Sequence, residues 1–181
     1  QAHDAIAEAD ILLLQLEVPI ESSLRSAEIA KENDTLVILN PAPAQKITDT
    51  LLRLVDILTP NESETEILSG MPTDTNEQAI EAAHKLMSKG IKTVILTLGS
   101  RGSLLLNENV EILIPAFSVD VVDTTAAGDA FCGALAASLS QGKSIEESVK
   151  IANAAGALAV TQLGAEPSLP KKEALDNLLS N

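Results

Sequence analysis

Short apolar runs alternate with longer amphipathic segments along the chain, and this alternation constrains the fold more than any other feature. Four runs have the length and composition of buried strands, at residues 11–14, 36–39, 55–58 and 93–98. Three segments between them have helical spacing of apolar residues, at residues 22–32, 62–69 and 76–88. This order predicts an α/β fold with a mostly parallel sheet and helices on both of its faces.

The second half of the sequence adds a hairpin and three more helices. Residues 103–106 and 111–115 are typical of two strands joined by a turn at 107–109, which predicts an antiparallel edge to the sheet. Three helices are expected. The first covers residues 130–139, the second runs from a capping box at Ser144 and Glu147 to about residue 161, and the third covers residues 170–179.

Residues 123–129, with the sequence Asp-Thr-Thr-Ala-Ala-Gly-Asp, are the most unusual segment. Small residues precede a strongly apolar helix, so their backbone N–H groups would form a partly positive site for a phosphoryl group. Asp129 in the first turn could then accept a proton from an attacking hydroxyl. A plainer interpretation is that Asp123 or Thr124 merely caps the helix, and the spacing leaves both open.

This segment resembles the D-T-x-(G/A)-A-G-D signature of the ribokinase-like (PfkB) carbohydrate kinases. The resemblance implies a three-layer α/β/α sandwich and phosphoryl transfer from ATP to a sugar hydroxyl, with ribose O5 as the preferred acceptor. Asp129 would be the catalytic base that also contacts the sugar, and Ala126, Ala127 and Gly128 would form the anion hole. Most members have Gly where this chain has Ala126, a mild departure because backbone N–H groups form the hole.

Other segments resemble the family in order and spacing. Residues 59–64 are similar to its P-N-x-x-E stretch, which implies that Asn61 lies at the nucleotide phosphates and Glu64 near Mg²⁺. Glu17 would lie near the sugar. Further ATP contacts are implied for Gly128, for Asn153 beside the adenine, and for the nucleotide loop formed by Thr97, Leu98, Gly99, Ser100, Arg101 and Gly102.

The same resemblance implies a monovalent cation site, usually for potassium, beside the anion hole. The matching positions are Asp123, Thr125, Ala159, Gln162, Gly164 and Ser168. Several would contribute backbone carbonyls, and ligation by oxygen alone suits a hard cation. Gln162 replaces an expected basic residue, a change that a backbone contact would tolerate.

Charge and cysteine content narrow the expected partners to a small-molecule sugar and ATP. The formal net charge is -14, so the average surface repels nucleic acid and anionic membranes. ATP could still bind where N–H groups create a local positive site. Cys132 is the only cysteine in the sequence, which excludes an internal disulfide and favours a reducing compartment, so we expect a cytoplasmic protein.

The sequence begins without an initiator Met and within a helical pattern. We therefore expect residues 1–181 to be the C-terminal portion of a kinase domain whose sugar-binding segments and lid lie elsewhere, with the full-length protein a homodimer. Two alternatives stay open. One is another member of the family, acting on fructose, a nucleoside or ketodeoxygluconate, and the other is a nucleotide-binding module without catalysis.

Overall fold

The computed structural model describes residues 2–180, which form two compact units. The first unit contains the chain up to Leu98 and residues 104–112, and the second contains residues 99–103 and the chain from Leu113 onward. Within the described residues, no helix is both long enough and apolar enough to cross a membrane.

A six-stranded sheet organises the first unit, with strands in the order β1 to β6 along both the chain and the sheet. The strands are β1 (Ile11–Leu14), β2 (Leu36–Leu39), β3 (Ile57–Leu58), β4 (Thr93–Thr97), β5 (Ser103–Asn107) and β6 (Glu111–Ile114). Strands β1 to β4 pair in parallel. A tight turn from Asn107 to Val110 joins β5 and β6, where the Asn107 N–H donates to the Val110 carbonyl at 2.8 Å. The sheet is mostly parallel with an antiparallel hairpin at its edge, as the sequence predicted.

Five helices accompany the described part of this unit: α1 (Ala2–Ala7), α2 (Ile20–Glu32), α3 (Asp49–Leu52), α4 (Glu62–Ser69) and α5 (Asn76–Met87). The sheet core is aliphatic, and Ile38, Leu58 and Leu96 are completely buried. Each such side chain contributes about 2 kcal/mol relative to remaining in water. Strands β2, β3 and β4 are buried on both faces, which explains why their runs are continuously apolar rather than alternating.

Asp56 ties the start of β3 to its neighbours. Its carboxylate accepts hydrogen bonds from Lys31, from the Val37 N–H at 3.0 Å and from Lys92 at 2.9 Å. Burial opposes ionisation of this carboxyl, but the hydrogen bonds from Lys31, Val37 and Lys92 outweigh it and lower the pKa of Asp56.

The second unit is built on α6 (Ala127–Ser140), α7 (Ile145–Ala159) and α8 (Lys172–Leu179). Ala130 of α6 and Ala155 and Ala159 of α7 are buried in one cluster, and their small side chains let these two helices approach closely. A Cβ added to Gly156 would lie 3.3 Å from the Ala127 carbonyl oxygen, so the start of α6 lies directly against α7.

Several boundaries differ from the sequence prediction. Helix α6 begins at Ala127 rather than residue 130, α7 ends at Ala159 rather than near 161, and α8 begins at Lys172. Strand β3 is two residues shorter, and the one-turn α3 was not predicted. At Ser144 the hydroxyl accepts from the Glu147 N–H at 3.2 Å, but the Glu147 carboxylate accepts from Lys143 instead of closing the capping box.

Candidate active site

The N-terminus of α6 is where the sequence predicts the phosphate-binding site, and there the Ala127 N–H donates to the Thr124 carbonyl at 3.2 Å. The N-cap residue is Ala126, with φ of -110° and ψ of 12°, and no side chain caps the helix. The proposal that Asp123 or Thr124 acts as the cap is therefore wrong. Asp129 lies in the first turn and is exposed, as is Gly128. The residues around the partly positive end of this helix are therefore small, and the one acidic side chain in its first turn is Asp129.

Asp123 instead joins two separate segments of the second unit. One carboxylate oxygen accepts from the N–H of Thr125 at 3.0 Å and from its hydroxyl, and the other accepts from the Gly164 N–H at 2.9 Å. The N–H groups of Val122 and Asp123 both donate to the Val160 carbonyl. The Thr125 hydroxyl is the largest cause that lowers the pKa of Asp123, followed by the two N–H donors.

These bonds bring together residues 123–125 and 159–164, from which most of the expected cation ligands come. Ser168 is buried and its hydroxyl donates to the Ala165 carbonyl at 2.7 Å, whereas Gln162 is exposed. Among residues 2–180, no three His, Cys, Asp or Glu side chains cluster as a metal site would require. The donors here are carbonyl, hydroxyl and a single carboxylate, a set that fits a hard monovalent cation.

The nucleotide loop forms a tight turn after β4. Gly99–Arg101 is a short 3₁₀ helix, and the Gly102 N–H donates to the Gly99 carbonyl at 3.1 Å. Both glycines have positive φ, 55° at Gly99 and 92° at Gly102. A Cβ at Gly102 would lie 2.1 Å from the Ile114 carbonyl oxygen, so the loop backbone packs closely against residue 114 at this position.

Asn153 is buried in α7, and its amide is engaged by the protein. Its Nδ2 donates to the carbonyls of Ile114 at 3.1 Å and Pro115 at 3.3 Å, and its Oδ1 accepts from the Ser103 hydroxyl at 3.0 Å. Sequence reasoning missed Ser103. A serine at the start of a predicted strand gives no local sign of a buried partner, and only the fold shows that it is completely buried.

In the first unit, Asn61 and Glu64 form a closed reciprocal pair at the start of α4. Asn61 Oδ1 accepts from the Glu64 N–H at 2.9 Å, and the Glu64 carboxylate accepts from the Asn61 N–H at 2.8 Å and from Asn61 Nδ2 at 3.0 Å. Burial raises the pKa of Glu64, although the Asn61 N–H partly opposes this. Glu64 is thus held against Asn61 by both oxygens, and its link to Mg²⁺ stays a prediction.

Glu17 lies exposed in the segment after β1, as expected of a residue that could meet a ligand. The preceding residue is anchored, because the Leu16 N–H donates to the Ala42 carbonyl at 2.8 Å and Gln45 Nε2 donates to the Leu16 carbonyl at 3.1 Å. Thr97 ends β4 partly buried, and Leu98 is buried.

Comparison with known proteins identifies the class to which this fold and site belong. The model of the pfkB family of carbohydrate kinases matches residues 1–172, and the chain belongs to this family. Ribokinase from Haemophilus influenzae is 43% identical over 173 residues, which are 96% of this chain and 56% of that protein. Deoxyribokinase from Salmonella typhi is 38% identical and is matched over 99% of this chain and 59% of its own length.

The fold agrees with this assignment. The structure of Arabidopsis thaliana ribokinase complexed with ribose and ATP matches with a TM-score of 0.95 and 38% identity, over 99% of this chain and 58% of that one. The predicted ribokinase-like α/β fold is confirmed. The chain spans between half and three fifths of the length of these relatives.

Proposed function

We propose that the chain contributes the catalytic and nucleotide-binding part of an ATP-dependent ribokinase, which phosphorylates D-ribose at O5 to give ribose 5-phosphate and ADP. The observation that carries the proposal is the start of α6, where no side chain caps the helix and the exposed Asp129 lies in the first turn. Membership of the family and the ribokinase names of its relatives support the choice of reaction and sugar.

In this proposal, the Asp129 carboxylate accepts the proton of the O5 hydroxyl as O5 attacks the γ-phosphorus of ATP. The bond from that phosphorus to the β,γ-bridging oxygen breaks, and ADP leaves with the electron pair. Backbone N–H groups at Ala126, Ala127 and Gly128 stabilise the negative charge on the transferring group. The Ala127 N–H, which donates to the Thr124 carbonyl in the structure, would have to exchange that partner for the phosphoryl group. Mg²⁺, where bound, would neutralise part of the phosphate charge.

The remaining assignments follow the family pattern. Residues 97–102, Gly128 and Asn61 are proposed as ATP contacts, and Glu17 as a contact of the sugar. Asp123 and the oxygens of residues 125, 159, 162, 164 and 168 are proposed to hold K⁺, supported by the bonds that unite these segments. We also propose that the full-length protein is cytoplasmic and forms a homodimer. Sedimentation of the product of its full reading frame would test the oligomeric state.

Deoxyribose is a second acceptor to consider, because deoxyribokinases are among the relatives at 38% identity. The two sugars differ only in the 2-hydroxyl, so a coupled ADP-release assay with each sugar separates them. Fructose, adenosine and ketodeoxygluconate in the same assay test the other acceptors. ATP binding by calorimetry without ADP release from any of them would instead indicate a nucleotide-binding module.

The decisive variant is Asp129→Asn, made in the 181-residue chain and in the product of its full reading frame. We expect turnover to fall at least about a hundredfold, because the base is lost, while ATP affinity changes by less than about twofold. Glu146→Gln is the matched control, since Glu146 is also an exposed carboxylate in the first turn of a helix of the second unit. Asp129→Asn with turnover equal to this control would refute the assignment of the base.

A further inference from the structure

A buried polar junction lies directly behind the nucleotide loop. Three chain segments of the second unit meet there: Ser103 after the loop, the backbone carbonyls of Ile114 and Pro115, and Asn153 from α7. Ser103 is completely buried and Asn153 is 9% exposed.

The amide of Asn153 is unusual for its position. Asparagine is a poor helix former, and it lies here within an Ala-rich helix, where a buried amide is costly unless its groups are hydrogen-bonded. Its Nδ2 donates to two carbonyls and its Oδ1 accepts a hydroxyl proton, so the three partners fix which end of the amide is which. Both ends of the amide are therefore committed to the protein.

The junction also fixes the backbone against which the loop is packed. Added side-chain atoms at Gly102 would overlap Ile114 O at 2.1 Å, Ala116 N at 2.7 Å and Pro115 C at 2.7 Å. Asn153 holds two carbonyls of this same stretch and, through Ser103, the residue that follows Gly102. One side chain thus anchors both sides of the contact between the loop and residues 114–116.

We propose that Asn153 is a positioning residue, which sets the conformation of loop residues 99–102 through Ser103 and the 114–115 backbone. The two carbonyls occupy both N–H donors of the amide, so we assign the effect of Asn153 on ATP to the loop. This inference rests on the proposed function for its effect on ATP, but its effect on the loop does not require ATP.

The test is Ser103→Ala, which removes one bond of the junction and no atom of Asn153. Without nucleotide, we expect backbone amides of residues 99–103 to exchange hydrogen about fivefold faster, as the loss of one neutral hydrogen bond implies. The Kd and the KM for ATP should both rise by about the same factor, while kcat at saturating ATP stays within about twofold of the wild-type value. If Asn153 acted as a direct contact instead, Ser103→Ala would leave hydrogen exchange at residues 99–103 unchanged in the absence of nucleotide.

Two further variants keep the result interpretable. Val149→Ala removes completely buried apolar atoms one turn before Asn153 in the same helix, so it lowers stability but removes no hydrogen bond of the junction. We expect it to leave exchange at residues 99–103 and KM for ATP unchanged. Asn153→Ala should speed exchange at these residues more, and adding Ser103→Ala to it should have no further effect. If Asn153→Ala does not fold, Ser103→Ala alone decides.

The outcomes separate this inference from the proposed function. Unchanged exchange at residues 99–103 in Ser103→Ala, or a loss in kcat instead of a rise in KM, overturns the positioning role. A wild-type protein that binds no ATP would defeat the proposed function, while the exchange measurement would still test the role of Asn153.

Discussion

The two glycines of the nucleotide loop allow a matched test of how tightly this loop is built. Both have positive φ, but the surroundings differ: a Cβ at Gly99 meets nothing within 4 Å, whereas a Cβ at Gly102 overlaps three backbone atoms. The same Gly→Ala substitution therefore measures conformational strain alone at the first position, and strain together with overlap at the second.

The magnitudes follow from these surroundings. At Gly99, φ of 55° lies in the left-handed helical region, so Gly99→Ala should cost about 1–2 kcal/mol of unfolding free energy. At Gly102, φ of 92° lies beyond that region, and the Ile114 carbonyl oxygen would have to move by about 0.9 Å to reach the shortest separation that real Cβ atoms show. Backbone overlap of this kind adds to the strain, for a total of about 3–5 kcal/mol.

Urea unfolding followed by far-ultraviolet circular dichroism provides the measurement. For a slope near 2 kcal/mol/M, we expect the midpoint of Gly102→Ala to lie about 1 M below that of Gly99→Ala. Equal midpoints for the two variants, or a Gly102→Ala protein as stable as wild type, would show that residues 114–116 yield easily and would refute the reasoning.

Three further predictions concern the hydrogen-bonded carboxylates and caps. Asp56→Asn should lower the unfolding free energy at pH 7 by about 1–3 kcal/mol. Because the pKa of Asp56 is lowered in the folded protein, the difference in unfolding free energy between wild type and variant should disappear as the pH falls through the folded pKa. Urea unfolding at a series of acid pH values measures this. Asn61→Ala should cost about 1–2 kcal/mol and weaken ATP binding in calorimetry, whereas Thr75→Ala, which removes the cap of α5, should cost as much and leave ATP binding intact. Wild-type turnover should be higher in KCl than in tetramethylammonium chloride, and Asp123→Asn should remove this difference in the kinase assay.

Much of the fold was predictable because strands β2 to β4 are buried along most of their length and therefore form continuous apolar runs. The runs that form β1 and β2 stand out as continuous apolar stretches, and both were placed with their observed bounds. Helix α4 was also placed correctly, since Asn61 caps its start and Gly70 ends it with φ of 75°. Local chemistry was sufficient wherever a boundary depended on residues next to it in the sequence.

Boundaries that depend on tertiary contacts were not predictable. Helix α3 is a single turn of four residues and has too little periodicity to detect. Helix α6 starts at Ala127, three residues before its predicted start and directly against Gly156 of α7, a contact that no local pattern shows. The same limit applies to the candidate site: the neighbours of Asp129 in the sequence are enough to propose its role, but the partners of Asn153 lie 38 to 50 residues away along the chain.

A missing cap at the start of α6 does not by itself mark an anion site. Helices α2 and α8 also begin without a side-chain cap, at Pro19 and Lys171. Helix α6 differs because Asp123, a residue type that often caps helices, lies just before it. The Asp123 carboxylate accepts hydrogen bonds from the N–H groups of Thr125 and Gly164 and from none in the helix. A cap would have stabilised the helix by about 1 kcal/mol. The arrangement leaves Asp129 as the acidic side chain of the first turn, and an incoming phosphoryl group would supply the negative charge that a cap provides elsewhere.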